Sequence, residues 1–113
     1  MKFKVGQIES ILTDELAKCV GLSNPWHGLF AENLVEHLVL PPRSTRFRNA
    51  EGMGVGYRWL WVVLDEQSGC DKGFFVVYDP RAELFGLAGK PQGKRLGTFL
   101  GFYGNLRETL ESM

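Results

Sequence analysis

The chain has 113 residues and a mass of 12.7 kDa, the length of a single domain. Hydrophobic residues make up 44% and charged residues 23%, a balance that excludes disorder as the main state. Thirteen Lys and Arg offset thirteen Asp and Glu, and the isoelectric point lies near 6.7, so the basic surplus of a non-specific nucleic-acid binder or a polybasic membrane anchor is missing.

In chain order, residues 7 to 20 have helical spacing. Ile8, Ile11, Leu12, Leu16 and Val20 form an apolar stripe, and Glu9, Asp14, Glu15 and Lys18 are left for solvent. Gly21 follows as a helix stop. Asn24 and Pro25 then open a second amphipathic helix over residues 25 to 37, and Trp26, Leu29, Phe30, Leu34 and Leu38 recur at three- and four-residue steps. Pro41-Pro42 bars any helix from running further. Arg43 to Asn49 is polar and basic and reads as an exposed edge strand. The strongest strand signal is Tyr57 to Leu64, YRWLWVVL. A loop from Asp65 to Gly69 leads to a strand over Phe74 to Tyr78, a turn at Asp79-Pro80-Arg81-Ala82, and a returning strand over Glu83 to Ala88. The short connections imply an antiparallel meander. After a loop from Gly89 to Gly97, Phe99, Phe102, Tyr103, Leu106 and Leu110 have the spacing of a third helix; Gly101 and Gly104 leave its start open between Phe99 and Asn105. The expectation is one α+β domain over residues 1–113. Its antiparallel meander of three to four strands packs against two N-terminal helices and one C-terminal helix.

The motifs with chemical content are weak. Gly52, Gly54 and Gly56 have dinucleotide-loop spacing, but a strand follows where that motif needs a helix. Gly93-Lys94 lacks the earlier glycine of a phosphate loop, with Ala88 in its place. It also lacks the hydroxyl that would hold Mg²⁺, because Arg95 follows the lysine. His27 and His37 have no third ligand at a zinc-like spacing, and Cys19 and Cys70 form neither a disulfide framework nor a paired metal motif. No metal or cofactor is expected. A Cys–His pair that meets only in space stays open as an alternative. Asp65, Glu66, Asp71 and Asp79 cluster around the loops of the sheet, beside Gly and Ser, where solvation is expected. The start, MKFKVGQIES, has no long apolar run behind it, and no stretch approaches the roughly 18 apolar residues of a membrane span. The expectation is a cytoplasmic protein without a signal peptide.

The aromatic strand carries the most information. With period two, Tyr57, Trp59, Trp61 and Val63 share one face, and Arg58, Leu60, Val62 and Leu64 share the other. Neither face is polar. Either both are covered, as in a central strand, or the Tyr-Trp-Trp face is a contact surface. Arg43, Arg46, Arg48 and Arg58 allow two further readings. They bind phosphate or an acidic surface, or they protect an edge strand from mispairing.

Gly73 to Ala88, GFFVVYDPRAELFGLA, and Gly97 to Met113, GTFLGFYGNLRETLESM, together resemble immunity proteins of bacterial contact-dependent growth-inhibition and related polymorphic toxin systems. The resemblance lies in a DP turn between two strands, an FGLA-like closing strand and a short helix ending in ETLESM. It implies a rigid module without chemistry of its own, which binds and neutralises one cognate toxin domain. Toxins of this kind are often basic nucleases met by acidic inhibitors; the balanced charge here departs from that pattern. The resemblance supplies no fixed set of binding residues. From the residues themselves, Tyr57, Trp59, Trp61, Asp65, Glu66 and Asp79 are the contact candidates for a protein partner. Nucleic acid, read by the Arg43–Arg58 region with aromatic stacking, is the alternative partner, and a small Cys/His enzyme is the alternative activity. An exposed edge strand also leaves homodimerisation open.

Overall fold

The computed structural model describes residues 4–19, 34–50, 56–66 and 73–112. Helix α1 spans Val5–Ala17, with Ile8 and Leu12 buried and Ile11 and Leu16 partly buried, so the apolar stripe faces inward as its spacing dictates. Its start is held by the Gln7 side chain, whose Oε1 accepts from the Lys4 N–H at 2.8 Å. Residues 25 to 33 of the expected second helix lie outside the described residues, as do Gly52, Gly54, His27 and Cys70. The described end of that segment is a single 3₁₀ turn, Leu34–His37, which leads straight into strand β1, Leu38–Asn49. Leu38 and Val39 pack against opposite apolar clusters, the period of a strand and not of a helix.

Four more strands follow: β2 (Tyr57–Asp65), β3 (Phe74–Asp79), β4 (Leu84–Gly89) and β5 (Thr98–Gly104). Successive strands pair antiparallel, as their short connections require. The sheet then closes. Arg48 and Asn49 of β1 pair parallel with Thr98 and Phe99 of β5, giving a five-stranded barrel. The structure therefore differs from the expected meander in three ways. β1 begins five residues earlier than the basic run (38 against 43), and at its end β5 pairs with the edge that the sequence left open. Residues 98 to 104 form a strand where helical spacing was read, and only Leu106–Glu111 is helix α2. Among the described residues there is one helix before the strands, not two.

Closure creates two apolar compartments. Phe47, Leu60, Val62, Phe75, Val77, Ala88 and Phe99 fill the barrel, with Val39 and Phe102 partly buried against them. Phe47 and Phe75 meet edge to face with ring centroids 6.4 Å apart. Outside the barrel, Ile8 and Leu12 of α1 and Leu106 and Leu110 of α2 cover Val63, Leu64, Val76, Tyr78, Phe85 and Leu87. β2 is thus apolar on both sides because one side faces the interior and part of the other faces the helices. A bulge between Val62 and Leu64 turns the consecutive residues Val63 and Leu64 to the same helix-covered side.

α2 begins at a cap that the side chain of Asn105 supplies. Asn105 Oδ1 accepts from the Glu108 N–H at 2.8 Å, and Glu108 Oε1 accepts in return from the Asn105 N–H at 3.3 Å. The Glu15 side chain of α1 reaches across, its Oε1 accepting from the Leu106 N–H at 3.0 Å. Gly86 lets β4 approach β5 closely, since a Cβ there would run into the Gly101 carbonyl oxygen. Phe99→Ala, which empties a fully buried site, should lower stability by about 3–5 kcal/mol. Gly86→Ala should also lower the urea midpoint, and equilibrium urea denaturation checks both.

Candidate functional site

The first half of β2 lies beyond the helices. Its outward residues Tyr57 and Trp59 are 61% and 65% exposed, although both are large aromatic side chains on a regular strand. β1 lies beside them in register, Arg46 opposite Trp59 and Arg48 opposite Tyr57. The Arg46 guanidinium sits over the Tyr57 ring, 5.0 Å from its centroid. Arg48 donates to Thr98 Oγ1 at 3.2 Å and so links this face to β5, where Leu100 is also exposed. Trp61 is half-buried and packs against the helix-covered cluster. The Tyr-Trp-Trp face therefore runs from solvent at Tyr57 to core at Trp61. The strand is thus covered at Trp61 and open to solvent at Tyr57 and Trp59.

The candidate carboxylates lie elsewhere and have structural partners. Asp65 forms an ion pair with Lys90, whose side chain is 3% exposed. Glu66 is buried, not solvated as its loop setting suggested. Its Oε1 accepts from the Phe74 N–H at 3.0 Å, and its own N–H donates to the Phe74 carbonyl at 3.0 Å. Together these contacts close the β2–β3 connection across residues 66 and 74. Asp79 Oδ1 accepts from the Arg81 N–H at 2.9 Å, the side-chain bond that shapes the turn into β4. The structure thus brings Tyr57 and Trp59 together and sets Asp65 and Glu66, at the other end of β2, apart from them.

The arginine run also divides. Arg46 and Arg48 point outward beside the aromatic pair, and the pairing register that puts them there is not encoded in local spacing. Arg58 instead lies over the barrel rings Phe99 and Phe102, at 4.6 and 5.6 Å, and its Nε donates to Asn49 Oδ1 at 2.9 Å. Arg43 lies 5.4 Å from the Phe75 centroid. Arg58 is therefore part of the packing of the barrel, while Arg46 and Arg48 belong to its surface.

Cys19 lies in the helix-covered apolar cluster, where burial pushes its thiol pKa up. That keeps the sulfur protonated and weakly nucleophilic. His37 Nδ1 lies 3.1 Å from the Asp65 carbonyl oxygen. Among the described residues, no three His, Cys, Asp or Glu side chains gather as a metal site. No family model matches the chain, and no curated protein and no solved structure matches it.

Burial also raises the pKa of Tyr78. For both groups the folded protein holds its proton to higher pH than the unfolded chain does. Their contribution to stability is therefore full at neutral pH and declines as pH rises past the ordinary values, 9.0 for the thiol and 10.0 for the phenol. Urea midpoints should be flat up to about pH 8.5 and fall from about pH 9. In Cys19→Ala the onset of the fall should move toward pH 10.0, where the raised pKa of Tyr78 takes effect.

Proposed function

We propose that this chain is a non-enzymatic binding module, an immunity protein that docks on a cognate bacterial toxin domain in the cytoplasm and neutralises it. The exposed Tyr57–Trp59 pair carries the reading. A soluble fold gains by covering such rings, and here the helices stop short of them while the barrel is already filled by Phe47, Phe75 and Phe99. Each ring offers on the order of 150–250 Å² of burial to a partner at small entropic cost. Trp, Tyr and Arg, the three residue types found here side by side, are those that most often anchor protein interfaces.

The choice of a toxin domain as partner is supported by the resemblance of residues 73–88 and 97–113 to immunity proteins. An inhibitor of this kind needs a rigid contact face and no reaction of its own. Trp61 anchors the face to the core, and Asp65, Glu66 and Asp79 hold the β2–β3 and β3–β4 connections through the bonds described above.

The decisive experiment expresses the toxin domain encoded beside this gene, with and without the protein. The protein should restore growth. Trp59→Ala and Tyr57→Ala should fold with stability within about 0.5 kcal/mol of the wild type, since the rings are exposed. They should nevertheless weaken the complex by roughly tenfold or more and lose protection. Equal killing in the presence and absence of the wild-type protein rejects the proposal.

A further inference from the structure

The formal net charge of +0 conceals a segregation. β1 and β5 contain no Asp or Glu, and β2 has only Asp65, at its last residue and paired with Lys90. The described carboxylates lie mainly on α1 and α2 (Glu9, Asp14, Glu15, Glu108 and Glu111) and in the β3–β4 turn (Asp79 and Glu83). The outer face of β2, β1 and β5 thus presents Arg46 and Arg48 with Tyr57, Trp59 and Leu100, and among the described residues no carboxylate pairs with either arginine.

Both guanidinium groups are partly immobilised before any partner arrives. Arg46 rests on the Tyr57 ring and Arg48 is tethered to Thr98. A planar donor already held in place loses less freedom when it binds a carboxylate, and its forked N–H groups match that group's two oxygens. Trp59 lies opposite Arg46, so an apolar anchor sits directly beside a carboxylate receptor.

We propose that the partner covering this face is an acidic protein surface, whose Asp and Glu side chains pair with Arg46 and Arg48 around the Trp59 anchor. This deepens the protein-binding reading above and rests on it. A polypeptide is favoured over nucleic acid because the chain as a whole has no basic surplus, which non-specific binding of a phosphate backbone would require. The partner is then the reverse of a basic nuclease surface.

Fluorescence anisotropy of the full-length protein with a labelled polyglutamate peptide and a labelled oligo-dT of equal charge tests this. Polyglutamate should bind at low salt and weaken as salt rises. Arg46→Glu should reduce its affinity at least about tenfold. Arg81→Glu makes the same charge change in the exposed β3–β4 turn and should leave affinity within about twofold, the range expected of a remote exposed charge. Failure of polyglutamate to bind, equal losses in the two variants, or oligo-dT binding tenfold tighter than the peptide overturns the inference. The growth assay separates the two proposals. If the wild type protects and Arg46→Glu protects equally well, the acidic-partner inference falls and the immunity reading stands. If the peptide result holds but no protection is seen, the immunity reading falls alone.

Discussion

Two residue pairs at the seam between β1 and β5 turn an open sheet into a closed one. Arg48 and Asn49 lie beside Thr98 and Phe99, with the Arg48 N–H donating to the Gly97 carbonyl at 2.9 Å and the Ala50 N–H to that of Phe99 at 3.1 Å. The seam requires Gly97, because a Cβ there would meet the Gly89 carbonyl oxygen and crowd the Phe47 ring. Closure gives the sheet an inside, and that inside lets Phe47, Phe75 and Phe99 share one dry compartment. Everything outward-facing is then sorted by whether a helix covers it. α1 and α2 cover β2 from Trp61 onward together with β3 and β4, and the start of β2 and the end of β1 are left to solvent.

Much of this was legible from local patterns. The stripe of α1 and the strands β2, β3 and β4 follow from periods of 3.6 and 2 and from turn chemistry. β5 was misread for a specific reason. Phe99 and Phe102 are three apart, a helical step, yet both face the barrel interior. The irregular register of β5 against β4 around Gly101, whose φ is +147°, changes the normal two-residue spacing into three. Closure itself had no local signal, since it joins residues fifty positions apart (48 to 98).

The candidate site was half legible for the same reason. Alternation placed Tyr57, Trp59 and Trp61 on one face, but which of them stays wet depends on where α1 and α2 dock. The carboxylates looked solvated because their neighbours in sequence are small and polar. Their neighbours in space are Lys90 for Asp65 and the Phe74 backbone for Glu66, which only the paired strands reveal. Arg58 shows the converse. A charged residue on an otherwise apolar face marks, in this barrel, a cation laid over interior rings. The helices cover one side of the barrel, and the other presents the exposed rings of Tyr57 and Trp59 beside Arg46 and Arg48.

The bond from Glu15 to the amide of Leu106 spans 91 positions, and the barrel seam lies nearly as late in the chain. During synthesis, β2 and β3 leave the ribosome before the segments that cover them exist. Val62, Val63, Phe75 and Val76 must wait in water, or in the care of a chaperone, until β5 and α2 follow. Such long-range topology slows folding relative to a helical protein of equal size. The nascent chain is thus most vulnerable to unwanted association in the interval before β5 and α2 are made.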